Sequence, residues 1–355
     1  MNARAIAYYL PQFHPLPEND EWWGKGFTEW TNTAKAHPLF KGHYQPHVPA
    51  DLGFYDLRLP ETRKAQADLA RAYGIEAFCY YHYWFGNGKR ALERPFAEVL
   101  SSGQPDFPFC LCWANESWTG VWHGSPRRTI IEQTYPGVED EKRHFDVLLP
   151  ALQDQRYVKV DGKPLLLVYS PNELPRPREL TDHWRTLAAK AGLPGLFLVG
   201  VENEPWNPAD HGFDGATVRI LHRSYQLDGG SLASRFRYHY RRIRQQPIRL
   251  YSYEQAIATF APAECGQANR YPCAIPNWDN TPRSGLKGLV LHGSTPELFR
   301  KHLREIVQQV QQKPADHRIV MMKSWNEWAE GNHLEPDLKF GRKYLEVIKE
   351  EICVS

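Results

Sequence analysis

Two glutamates three residues apart, Glu327 and Glu330, lie in the run SWNEWAEGNHLEPD that extends from Ser324 to Asp337. Flanked by Trp325, Asn326, Trp328, Asn332 and His333, they are acid/base equipment set beside surfaces that stack on sugar rings. The apolar run Ile319, Val320, Met321, Met322 before them reads as a strand. In a strand, residues three apart point to opposite faces, whereas one helical turn brings i and i+3 together. The pair therefore shares a cleft only if the chain leaves strand geometry near Glu327, and Gly331 eases a turn there. The competing explanation is a helix start, where two acids complement the helix dipole.

Apolar, β-rich runs at 5–10, 77–84, 109–113, 165–169, 196–201, 215–218, 273–276 and 319–323 alternate with helix-like periodicity at 60–73, 141–153, 178–191, 251–260 and 296–312. Strand and helix in alternation predict an α/β fold, a (β/α)8 TIM barrel with extended loops on the catalytic face, in one domain over residues 1–355. Such barrels gather their chemistry on the loops after the strand C-termini. Here those loops read QFH, HYWFGNG, ANESW, ENE, NWDN and WNEWAEG. Aromatic faces pack on the C–H faces of sugars, and Asn, Asp, Glu and His bond the hydroxyls at the ring edge. The expected sugar contacts are Gln12, His14, Glu29, Trp30, His82, Trp84, Trp113, Asn115, Glu116, Glu202, Asp279, Asn326 and His333, around Glu327 and Glu330. Core packing competes for each aromatic, and a structural hydrogen bond for His14 and His82. Glu335 reads as structural.

Two stretches look inserted, at about 15–55 and 222–250. The first follows the first strand and should cap the active face, carrying Glu29, Trp30 and Asn32. The second holds the basic segment 235–249, RFRYHYRRIRQQPIR, which offers contact with an anionic or lipid-linked glycan or a membrane surface, against the commoner reading as solvated charge. A formal charge of +2 gives no reason to expect nucleic acid as a partner. The opening MNARAIAYYLPQFHP is too short for a signal-peptide core, and no run approaches a membrane span, so the cytoplasm is the expected location. The six cysteines form no CxxC pair and read as reduced thiols, Cys110 and Cys112 as small buried hydrophobes. No cofactor or metal is expected, since HExxH, P-loop and GxGxxG contexts are missing.

WNEWAEG followed by LEP, with YYLPQFHP, GFTEW, YYHYWF and WANESW, resembles the WbsX-like proteins of bacterial polysaccharide gene clusters over nearly the whole chain. That group is similar to family 99 of the glycoside hydrolases, the endo-acting α-mannosidases. The resemblance implies that Glu327 draws the proton from a sugar 2-hydroxyl and that Glu330 is acid, then base, with a 1,2-anhydro sugar between the two steps and retention overall. Internal attack requires the 2-oxygen anti to the leaving group, as in α-mannosides and α-rhamnosides. The implied activity is endo-hydrolysis of such linkages in bacterial surface polysaccharide, with an oligosaccharide or polysaccharide as substrate. Two readings stand beside it: a retaining transferase in O-antigen or capsule assembly, and a non-catalytic glycan-binding barrel. For transfer from a sugar nucleotide, the sequence shows neither a Rossmann-type glycine loop nor a DxD motif.

Overall fold

Nine parallel strands ring the core: β1 (Arg4–Tyr9), β2 (Ile75–Trp84), β3 (Phe109–Trp113), β4 (Lys163–Val168), β5 (Phe197–Glu202), β6 (Gly215–Val218), β7 (Arg270–Tyr271), β8 (Cys273–Ala274) and β9 (Ile319–Met322). The computed structural model describes residues 2–119, 129–202, 206–218, 240–260 and 266–353. Each strand from β1 to β6 pairs in parallel with the next, β6 pairs with β7, and β8 pairs with β9, which returns to β1. β7 and β8 flank Pro272, which has no N–H to give a ladder. Its carbonyl still accepts the Met321 N–H at 2.9 Å. All the expected strands are therefore present, the seventh beginning at Arg270 and divided by a proline, and the ring is a TIM barrel.

Helices α1 (Pro17–Trp23) and α2 (Glu29–Lys35) lie in the first insertion, while α3 (Pro60–Ala72), α4 (Arg94–Ser102), α5 (Val138–Leu152), α6 (Pro177–Lys190), α7 (Tyr253–Phe260), α8 (Pro296–Val310) and α9 (Lys343–Cys353) belong to the barrel's outer layer. Several of these helices, α3, α6 and α8 among them, open on proline, whose missing N–H is one that a helix start leaves unbonded anyway.

Strand alternation decides which side chains meet the interior. Along β2, Tyr81 and Tyr83 point in, whereas Phe78 packs on Phe107 and Tyr80 on Phe96 of α4. Tyr8 of β1 stacks on Tyr81 inside the barrel, with ring centroids 5.5 Å apart. Next to it in sequence, Tyr9 points out and donates from its hydroxyl to Gln66 of α3 at 2.7 Å. Cys79, Cys110, Cys112 and Cys273 are buried and unbridged, and Cys353 is exposed; Cys265 lies outside the described residues. Of the second insertion, 222–239 lies outside them too. Among the described residues, no helix is long and apolar enough to cross a membrane.

Candidate active site

After β9 the chain folds back on itself: Asn326–Glu327 pairs antiparallel with Asn332–His333, and the 3-10 turn Trp328–Glu330 fills the gap. Gly331 closes the turn at φ +57°, where a Cβ would stand 3.1 Å from the Asp279 backbone nitrogen, so both conformation and space call for glycine. Ser324 ties the base of the fold, donating from Oγ to the Asn332 carbonyl at 2.9 Å and accepting the Glu327 N–H at 3.0 Å. The Asp279 N–H donates to the Glu330 carbonyl at 2.6 Å. With strand geometry abandoned at Glu327, both carboxyls reach one cavity of about 420 Å³.

The cavity is walled by Tyr8, Tyr81, Tyr83, Tyr169 and Trp278 from the barrel and by Trp23 and Phe27 from the cap. The two glutamates have different electrostatic company. Lys323 Nζ donates to Glu327 Oε2 at 2.8 Å and to the Tyr81 hydroxyl at 2.9 Å, and Asn332 Nδ2 adds a longer bond to the same carboxylate at 3.3 Å. Arg283, on the one-turn helix Thr281–Ser284, pairs with both Glu330 and Glu29. Burial pushes the Glu330 carboxyl up to about 7; Arg283 and Lys323 pull it down, Glu327 and Glu29 push it further up. Glu29 is likewise raised by burial, with Arg283 opposing. A buried acid that holds its proton near neutrality beside a cation-paired carboxylate has the chemistry to give a proton while its neighbour takes one.

The structure sorts the sequence-expected residues into three groups. Gln12, Glu29, Glu116, Glu327 and Glu330 line the cavity. Asn115 lines a second chamber of about 510 Å³, which shares Glu116, Ser117, Thr119, Arg249 and Asn280 with the first, so that the two form one cleft. Asn115 also clamps two strand ends, giving its Nδ2 to the Ser170 carbonyl and taking the Ser170 N–H, each at 2.8 Å.

The other nine line neither chamber. His82 and Trp84 share the outward parity of Phe78 and Tyr80: His82 is hydrogen bonded ring to ring with His144 of α5 at 2.9 Å, and Trp84 donates to Asp140 at 2.9 Å. Trp113 also faces out, against His144 and Trp184 of α6. Trp30 is packed under the cap between Phe13, Tyr55 and Trp328. Asn326 holds the end of β1, accepting the Leu10 N–H at 2.7 Å and donating to the Leu10 carbonyl at 3.0 Å. Asp279 accepts from Gln45 and Thr281 and pairs with His43, which hold its carboxyl below the usual range against its own burial. Glu202 pairs with Arg270 at 3.4 Å, and His14 is buried, its imidazole pushed down by desolvation. His333 stacks on Trp328 with centroids 3.7 Å apart. Glu335 is structural as read, accepting from Tyr55, Gln66 and Trp328.

Sequence reading missed Lys323, Arg283 and the tyrosines Tyr8, Tyr81, Tyr83 and Tyr169. The tyrosines were traceable from parity: Cys110 and Cys112 share one face of β3, and Tyr81 lies beside Cys112 in the register with β2. Arg283 gave no such cue, because its partners Glu29 and Glu330 come from distant segments; Lys323 meets Glu327, four residues on, only because the chain leaves strand geometry between them. One described group, His47, His333 and Asp337, sets three potential metal-ligand atoms within 4.8 Å of one another. Its two imidazoles are 2.8 Å apart, hydrogen-bond distance. Of the basic segment 235–249, residues 235–239 lie outside the described residues. Within the rest, Ile243 and Tyr240 are exposed, Arg241 donates to the Ile248 carbonyl, and Arg249 lines both chambers of the cleft.

The family described as glycosyltransferase WbsX matches residues 5–348. Two proteins of Xanthomonas campestris pv. campestris, strains B100 and ATCC 33913, both called uncharacterized protein WxcX, are 38% identical over a 363-residue alignment that covers 99% of this chain and 50% of each of them. The chain thus spans about half the length of the curated relatives it matches. Among solved structures, the GH99 endo-alpha-mannosidase from Bacteroides thetaiotaomicron aligns with a TM-score of 0.58 at 13% identity, over 99% of this chain and 96% of that one. A glycoside hydrolase-like protein aligns with a TM-score of 0.59 at 13% identity, over 99% and 94%. The likeness to these two structures is one of fold.

Proposed function

The chain belongs to the WbsX family, and from that premise we propose that it is a retaining glycoside hydrolase that cuts α-manno- or α-rhamno-configured linkages within a bacterial polysaccharide. The observation that carries the reading is the unequal pair in one cavity: Glu327 held by Lys323, and Glu330 kept near neutrality as an acid. Glu327 takes the proton of the sugar 2-hydroxyl while the 2-oxygen attacks C1. The bond from C1 to the departing sugar breaks, and Glu330 gives its proton to the leaving oxygen. In the second step Glu330, now a carboxylate, takes a proton from water; the water oxygen attacks C1, the three-membered ring opens, and Glu327 returns its proton to the 2-oxygen. Each carboxyl ends as it began. No covalent enzyme intermediate forms, so the separation rule that tells retaining from inverting carboxylate pairs does not apply.

Two adjoining chambers lend support to internal cleavage, since sugar units on both sides of the cut need room. Aromatic walls supply stacking surface for the rings. Arg249, in both chambers, is the described residue of the basic segment best placed to meet an anionic or lipid-linked glycan.

The family's description names a transferase, and the same chemistry transfers sugar when an acceptor hydroxyl takes the place of water. Incubation with α-mannan and α-rhamnan oligosaccharides, followed by mass spectrometry and proton NMR, separates the readings. Shorter products that keep the α configuration, made by the parent and not by Glu330→Gln, are expected. Lengthened chains without new reducing ends would replace hydrolysis by transfer, and calorimetric binding that persists in both Glu→Gln variants, without turnover in the parent, would replace both by a binding role.

A further inference from the structure

Arg283 is a junction between two carboxyls. From the one-turn helix Thr281–Ser284 it reaches Glu29 of α2 with Nε and Nη2 and Glu330 with Nη1. Glu29 and Glu330 are only 1% and 3% exposed. On the other side of Glu330, Lys323 is committed to Glu327. Among the described residues, the ion pairs of the cluster thus set three carboxyls, Glu29, Glu327 and Glu330, against two cations, Arg283 and Lys323. Behind Gly331 the next acid, Asp279, is hydrogen bonded with His43, Gln45 and Thr281, and Tyr81 and Tyr83 contribute neutral hydroxyls.

An uncompensated charge at this depth is costly, and the group answers by taking up a proton. Geometry decides where that proton sits. Glu327 is the carboxylate that Lys323 bonds directly, with the Asn332 amide besides, whereas Glu29 and Glu330 share one guanidinium.

We propose that Glu29 is a positioning residue for the reaction: by holding part of Arg283 it leaves Glu330 short of a cation, and so keeps a proton on Glu330 until the glycosidic oxygen arrives to take it. The proposal rests on the reading of Glu330 as the proton donor. It also explains why the first step adds no charge to the cluster. As Glu330 gives its proton to the leaving oxygen, Glu327 receives one from the 2-hydroxyl, so the three carboxyls hold one proton before and after, and only its seat changes. Arg283, already in contact with Glu330, is in place to meet the new carboxylate without moving a charge into the site. The raised position of both Glu29 and Glu330 agrees with two acids sharing one cation.

The test needs no substrate. With the glutamate side-chain carboxyls labelled with carbon-13, NMR follows their titration in the whole protein, and the Glu330 signal is the one that Glu330→Gln removes. Glu29→Gln takes away a negative neighbour and one carboxylate's hold on Arg283, so the Glu330 midpoint is expected to fall by about one pH unit or more. Glu29→Asp, which keeps the charge, is expected to hold the midpoint close to that of the parent. An unchanged midpoint in Glu29→Gln, or an equal fall in both variants, overturns the proposal. Once a cleaved glycan is in hand, Glu29→Gln should shift the alkaline limb of kcat to lower pH, whereas a merely structural residue would lower kcat alike at every pH. A shifted midpoint in a protein that cleaves no glycan would leave the charge arrangement standing and remove the hydrolase reading alone.

Discussion

Lys323 Nζ lies 2.8 Å from Glu327 Oε2, inside a collar formed by the rings of Tyr8, Tyr81 and Trp278, whose centroids are 5.4 to 5.8 Å away. An ammonium so enclosed is held by its carboxylate and by three ring faces together. Lys323→Met leaves Glu327 buried without its cation, and turnover is expected to fall by about a hundredfold, the low end of what a positioned acid or base contributes. Lys323→Arg should not restore it, because the planar fork of arginine differs in shape from the compact ammonium that the collar encloses. Steady-state kinetics of the two variants, with circular dichroism to verify folding, check both statements.

Because burial holds the Glu330 carboxyl up at about 7, the acid form prevails below that pH and is lost above it. Activity should therefore fall as pH rises through about 7. Glu330→Gln is expected to lose roughly 10² to 10⁴-fold in kcat and to lack the alkaline limb in whatever activity remains. A pH–rate profile of parent and variant decides the matter.

Parity along β2 gives a paired test. Tyr81→Phe removes the hydroxyl that accepts from Lys323 and should cost about tenfold in kcat. His82→Gln, one residue on but facing α5, should leave kcat and KM nearly untouched and lower stability by about 1 to 3 kcal/mol through the lost contact with His144. Kinetics and urea denaturation of both variants suffice.

Asn326→Ala strips partners from both the N–H and the carbonyl of Leu10, at a position where water does not reach. A loss of about 2 to 5 kcal/mol is expected for two buried groups left unbonded, measured as a lower urea midpoint.

Stability should decline in acid. Burial pushes the imidazoles of His47, His82 and His302 down to about 3, and that of His144 well below its ordinary value. Between those values and about 6.5 the unfolded chain binds protons that the folded protein refuses, so stability is present above pH ~6.5 and is lost as pH falls below it. Each such histidine contributes a slope approaching about 1.4 kcal/mol per pH unit. Denaturant titrations at pH 7.5 and 5.5, with His302→Leu as the variant in which the slope is reduced, measure the effect.

The sequence showed most of the barrel because each strand is a short apolar run and five of the barrel helices, α3, α5, α6, α7 and α8, keep a legible period, both of them local properties; α4 and α9 were not read. It also pointed to Glu327 and Glu330, whose neighbours in the chain reveal the turn that brings them together. His82, Trp84 and Trp113 were expected in the cleft because they stand at strand ends, yet a strand end has two sides, and one residue of register moves a ring from substrate to helix. Tyr81 and Tyr83, in the same run as His82 and Trp84, carry the opposite parity and line the cavity. Arg283 lay beyond local reading: its partners are 254 and 47 residues away in the chain, and a pattern within one segment cannot register them.

That separation has a consequence for the life of the protein. Glu29 enters synthesis well before Glu330, and one guanidinium between them completes the constellation. A nascent chain that stops before β9 has neither Glu327 nor Glu330, and a chain whose cap has not docked lacks the hold of Glu29 on Arg283. The full charge constellation therefore comes as a by-product of finishing the fold.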